Sequence, residues 1–97
     1  MGSILPVYLS YLLYFSTMEK LAHVFGRVLY DKRRQQGLTQ EQVAERCNLD
    51  RKYIYLLEKG RNQPSLGSLF ALAAAFEMTP MALIAEVQQR LAEHPTA

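Results

Sequence analysis

Four side chains able to donate hydrogen bonds to a polar or anionic surface stand in one short run: Arg51, Lys52, Tyr55 and Lys59. On a helix that begins after Asp50, Arg51 and Lys52 take the first helical positions and Tyr55 follows one turn after Arg51. The three face outward together, while Ile54, Leu57 and Glu58 point the opposite way. A guanidinium or ammonium there can donate to guanine O6 and N7, and a phenol can contact a thymine methyl or a phosphate. Other chemistries lack their residues. The chain has no glycine-rich phosphate loop, no nucleophile with a base at hand and no clustered carboxylate pair. Glu41 and Glu45, one turn apart, read as solvated surface. The single cysteine, Cys47, excludes an internal disulfide and reads as a small core residue. His23 and His94 stand isolated, so there is no metal-site spacing. No enzyme, metal or cofactor is expected.

The elements that must hold the donor row lie between Thr39 and Arg61. Apolar residues at Val43, Ala44, Cys47, Leu49, Ile54 and Leu57 fit two short helices sharing one inner face, with a break near Asn48. Thr39 with Gln42 forms a capping box for the first helix. Asp50 can cap the second. Asn48 tolerates the left-handed conformation of a tight turn. Ala44 is small where the helices cross, and Gly60 stops the second. The result reads as a helix-turn-helix, whose second helix enters a DNA major groove. Two core helices of an ordinary bundle are the alternative, but they leave the outer basic row without a structural need.

This spacing, with the flanks G-L-T-Q-E and Y-I-Y-L-L-E-K-G-R-N-Q-P-S-L, resembles the phage repressor and Cro family of XRE-type regulators over about Phe25 to Leu83. The resemblance implies that Arg51, Lys52 and Tyr55 reach base edges. It implies that Gln40 and the Lys59–Asn62 segment, with Arg61 and Asn62, meet backbone phosphates. It also matches Arg33 and Glu58 to a structural ion pair between the first and third helices of the domain. The chain's size and its D-R-K-Y-I run further resemble the controller proteins of restriction–modification systems.

Net charge is only +2, yet unevenly spread. From Arg27 to Asn62 nine Lys/Arg face five Asp/Glu, and from Glu77 onward one Arg faces three Glu. A basic middle with an acidic tail suits a protein that turns one face to phosphate. No charged side chain precedes Glu19, and residues 4–15 are almost wholly apolar. That stretch is shorter than the roughly 20 residues a spanning helix needs. It lacks the basic n-region of a secretory signal and fails the myristoylation pattern. Three readings are open: a dimer contact or partner-binding arm, a helical extension of the next element with Pro6 near its start, or a non-native leader with Met18 as the true start.

Glu19 to Gln36 is expected as the first helix of the domain, with Leu21, Phe25, Val28 and Leu29 inward and Gly37 as its left-handed stop. Lys32 stands where the family commonly has an apolar residue, so its stem would have to cover the core edge. Ser65 caps a fourth helix, from about Leu66 to Phe76, with Leu66, Leu69, Leu72, Ala73 and Phe76 inward. Thr79 and Pro80 start a fifth, running to about Glu93, with the stripe Leu83, Ile84, Val87 and Leu91 serving the core or a dimer.

The expectation is therefore an all-α, compact five-helix, lambda-repressor-like domain over residues 19–93, preceded by an apolar extension over 1–18 and followed by a tail over 94–97. It would bind double-stranded DNA as a homodimer on a palindromic operator, regulate transcription and reside in the cytoplasm. With no second domain for a small effector, its own concentration or a partner would control it. An antitoxin-like module that grips a protein partner through residues 4–15 is the alternative. A membrane-associated regulator held by the same residues is a third.

Overall fold

The computed structural model describes the backbone of residues 7–93 and the side chains of residues 17–93. Five helices follow in order: α1 (Val7–Gln35), α2 (Gln40–Cys47), α3 (Arg51–Glu58), α4 (Leu66–Ala75) and α5 (Pro80–Glu93). The expected tail over 94–97 and the first six residues of the expected extension lie outside the described residues.

The expected helix start at Glu19 moves to Val7, because α1 is continuous. Between Val7 and Gln35 there is no proline, and Pro6 stands just ahead of the helix. Nothing in the backbone therefore interrupts the run. Of the three readings of the N-terminal stretch, the helical extension matches the backbone.

One C-terminal motif closes four of the five helices. After α1, Gly37 (φ +68°) lets the Leu38 N–H donate to Arg33 O at 3.0 Å. After α2, Asn48 (φ 55°) lets Leu49 donate to Ala44 O at 2.9 Å. After α3, Gly60 (φ +72°) lets Arg61 donate to Leu56 O at 3.0 Å. After α4, Glu77 (φ 59°) takes the same role, with Met78 donating to Ala73 O at 2.9 Å. Each reversal satisfies carbonyls that the helix leaves open. Glycine takes the left-handed conformation freely and asparagine readily, whereas glutamate adopts it at a cost of about 1–2 kcal/mol. Glu77→Gly should therefore raise the stability by about 0.5–1 kcal/mol once the greater freedom of glycine in the unfolded chain is subtracted. Urea unfolding of the two proteins checks this. An unchanged midpoint would show that Glu77 gains an offsetting contact.

N-terminal caps are equally specific. Thr39 Oγ1 accepts from Gln42 N at 3.1 Å while Gln42 Oε1 accepts from Thr39 N at 2.8 Å, a reciprocal capping box. Asp50 Oδ1 accepts from Lys52 N at 2.9 Å, and Ser65 Oγ from Ser68 N at 3.1 Å. Thr79 Oγ1 accepts from Ala82 N at 3.1 Å. The C-terminus of α4, buried within the fold, receives two side chains from elsewhere. Arg46 donates to Ala75 O at 2.9 Å and Gln36 to Phe76 O at 3.2 Å.

The core gathers Phe25, Val28 and Leu29 of α1, Val43 of α2, Ile54 and Leu57 of α3, Leu72 and Phe76 of α4, and Leu83 and Val87 of α5. Leu66, expected inward, is instead 72% exposed. It is the first residue of α4, and the fully buried positions of that helix, Leu72 and Ala73, come only in its second half. Ile84 is about half exposed, leaving Leu83 and Val87 as the buried stripe of α5. Lys32 is tolerated at the core edge because its Nζ lies 2.9–3.0 Å from the Glu86 carboxylate of α5. Arg90 and Asp31, 3.0 Å apart, make a second α1–α5 pair. Among the described residues no single helix is long and apolar enough to cross a membrane. The α4–α5 pair, apolar enough by composition, is bent by 99° and turns its large side chains at Leu72, Leu83 and Val87 into the core.

Candidate nucleic-acid interface

The outer face of α3 exists because its inner face is fully committed. Ile54 and Leu57 are completely buried, which fixes the rotation of an eight-residue helix about its axis. Arg51 and Lys52 then stand exposed in its first turn, Tyr55 is half-buried one turn on, and Lys59 is exposed at its end. The Lys59 ammonium sits 5.7 Å from the Tyr55 ring centroid, a cation–π distance that aligns the two along the helix edge. Arg61 and Asn62 follow on the exposed loop after Gly60.

A connected set of hydrogen bonds runs from this face into the core. Arg51 Nη1 donates to Gln40 Oε1 at 3.1 Å, and Gln40 Nε2 donates to Glu58 Oε1 at 3.0 Å. Glu58 also accepts from Arg33 Nε at 2.6 Å and from Arg33 Nη2 at 3.0 Å, a bidentate fork. Arg33 Nη1 donates to Leu38 O at 2.9 Å, in the connection between α1 and α2. Both charged side chains of the pair are buried, Arg33 to 10% exposure and Glu58 to 4%. The hydrogen bond to Glu58 pushes the Arg33 guanidinium still higher than its ordinary value, so it is charged at any working pH. The structure thus brings Gln40, Arg51, Glu58 and Arg33 into one network. It places Lys52, Arg61 and Asn62 on the adjoining exposed surface.

One basic group was not anticipated from the sequence. The guanidiniums of Arg27, Arg33 and Arg34 lie 5.3–5.7 Å from the centroid of the Tyr30 ring. The spacing of three and four residues around Tyr30 was the available signal. A polar groove of about 470 Å³ opens beside Arg34, between the end of α1 and the start of α2 at Thr39 and Gln40. It lies against the positive end of α2. Cys47 is buried, and burial pushes its thiol up, so it stays neutral and acts as a small apolar residue. Among the described residues no group of three His, Cys, Asp or Glu could hold a metal ion.

Comparison with known proteins places this geometry. Residues 29–83 match the family described as Helix-turn-helix. The immunity repressor protein of Bacillus phage phi105 is 41% identical over 54 residues, which is 56% of this chain and 38% of the repressor. The chain therefore spans well under half of that relative's length. The restriction-modification controller protein C.AhdI from Aeromonas hydrophila superposes with a TM-score of 0.62 at 35% identity, covering 64% of this chain and 94% of that one. The controller C.Esp1396I, crystallised as a tetramer with its natural 35 base-pair operator, gives 0.68 at 25% identity, covering 74% and 95%.

Proposed function

The chain belongs to the helix-turn-helix family, and from that premise we propose that it is a DNA-binding transcriptional regulator of repressor or controller type that binds a palindromic operator sequence-specifically as a dimer. The observation that carries this reading is the outward row of α3 together with the Gln40 bond that holds Arg51 in place. Arg51, Lys52 and Tyr55 read base edges, since the first turn of a recognition helix reaches deepest into the groove. Gln40, Lys59, Arg61 and Asn62 take phosphates. An amide nitrogen carries two hydrogens, so the bond from Gln40 to Glu58 uses one and a phosphate can accept the other. The capped first turn of α2 adds backbone N–H groups and the positive end of a helix dipole.

Two substitutions separate the roles. Arg51→Ala should weaken specific binding by about 1–3 kcal/mol and change the sequence recovered from a random duplex pool at one position per half-site. Lys59→Ala should weaken binding to all sequences alike and reduce the salt slope by about one. Selection from the pool, followed by titration at several salt concentrations, measures both. Recovery of the same consensus with Arg51→Ala, with specific and non-specific binding lowered equally, would reject the division of roles. Selection of no sequence by the unsubstituted protein would reject the function.

A further inference from the structure

We infer that the N-terminal part of α1 is a dimerisation helix, seated in an apolar groove of a second copy of this chain. The groove, of about 250 Å³, is lined chiefly by Leu21 and Phe25 of α1, Leu69 of α4, and Ile84 and Val87 of α5. Its rim continues along α5, where Met81, 80% exposed, lies one turn before Ile84. The complementary surface is written in the spacing of α1. Reading back from Val28, apolar or aromatic residues occupy Phe25, Leu21, Met18, Tyr14, Tyr11 and Val7, alternating intervals of three and four. That is a heptad seam, the pattern by which a helix packs along a second helix. Its C-terminal half is spent on the core, where Phe25 and Val28 are buried. Its N-terminal half belongs to the same unbroken helix.

A continuous helix cannot fold back on its own domain. Val7 stands 14 residues before Leu21, about 21 Å along the axis. The molecule measures 51 × 23 × 21 Å, with a long axis of the size a 29-residue helix requires. The seam therefore projects past the groove of its own copy. A two-fold axis beside α1 lays each projecting seam into the other copy's groove, so two identical contacts bury both apolar surfaces at once. The area is adequate. By sequence the seam carries Tyr11 and Tyr14 and is flanked by Tyr8 and Phe15, and four aromatic residues at about 150 Å² each approach 600 Å² per copy. Together the two copies reach the lower end of the roughly 1,200–2,000 Å² of stable interfaces. This inference deepens the dimer of the proposed function and rests on that part of it.

The test uses full-length chains. Sedimentation equilibrium should show a dimer for the unsubstituted protein, and at least a tenfold weaker dimer for Tyr11→Glu and for the surface variant Ile84→Glu, both with unchanged far-ultraviolet circular dichroism. Mixed under mild oxidation, Tyr8→Cys chains and Ile84→Cys chains should form a disulfide-linked heterodimer in excess over either homodimer. A monomeric unsubstituted protein, a dimer indifferent to both charges, Tyr8→Cys chains linked only to each other, or a monomer that floats with lipid vesicles would each overturn the inference. Titration of a duplex carrying one selected half-site tells the two readings apart. Monomeric variants that still bind it leave the DNA reading standing, and loss of that binding in a folded dimer would count against the DNA reading alone.

Discussion

Glu58→Ala is expected to lower the unfolding free energy by about 3–5 kcal/mol, because it leaves a guanidinium buried without its counter-charge. Glu58 accepts from two nitrogens of Arg33 and from Gln40, so its carboxylate joins α1, α2 and α3 at one point. After truncation, Arg33 keeps its bond to Leu38 O. One neutral acceptor does not replace a bidentate carboxylate. Domains of this size hold about 5–15 kcal/mol in all, so the variant should be partly unfolded at moderate temperature. Replacing both partners by apolar residues of similar volume, as in Arg33→Met with Glu58→Leu, should cost less than either single change, since no buried charge is then stranded. Urea unfolding of the two single variants and the double variant measures this coupling. A Glu58→Ala loss under about 1 kcal/mol would place the pair with solvated surface bridges.

The next largest effect is expected from one methyl group. Gly26 sits in the middle of α1, where it faces the last carbonyls of α3. A Cβ added there would clash with Leu57 O and stand 2.7 Å from Glu58 O. Both neighbours are backbone, so no side chain can swing aside, and α1 and α3 would have to separate. Gly26→Ala should destabilise by about 1–3 kcal/mol or more, outweighing the gain of about 1 kcal/mol that alanine brings to a helix interior. Gly67 is the control. It too lies in a helix, in the first turn of α4, but an added Cβ meets nothing within 4 Å. Gly67→Ala should stabilise by up to about 1 kcal/mol. Thermal unfolding should move in opposite directions for the two proteins. Movement in the same direction would mean that α1 and α3 can slide apart freely.

Caps and reversals were legible in the sequence wherever a residue type has one strong local preference. Thr39 with Gln42, Asp50, Ser65, Thr79, Asn48, Gly37 and Gly60 each stand where the sequence places them, since each acts within a few residues of itself. Glu77 shows the limit. Its left-handed backbone is imposed by the return of α5 over α4, against its own preference. Gly26 was invisible for a related reason: in a helical pattern it reads as a weak point, and only the crossing of α3 gives it a purpose. Leu66 was misplaced because the apolar period of a mostly apolar helix does not single out one face. The apolar N-terminal stretch resisted assignment because composition alone does not tell an arm from a helix continuing into the next element. The outward row of Arg51, Lys52 and Tyr55 was readable from the positions of Ile54 and Leu57. The bridge through Gln40 was not, since it joins residues on two helices.

That bridge separates α3 into positions that can be rewritten and positions that cannot. Arg51 and Lys52 are exposed and Tyr55 is half-buried, while Ile54, Leu57 and Glu58 anchor the helix from beneath. Exchanges at exposed positions usually alter stability by no more than about 0.5 kcal/mol. A library randomised at 51 and 52 is thus a library of folded proteins, in which selection acts on operator preference rather than on survival of the fold. Position 40 is the hinge of that freedom. Its amide touches both the variable Arg51 and the fixed Glu58, so a new residue at 51 changes which side chain suits 40, and a library that varies 51 should vary 40 with it.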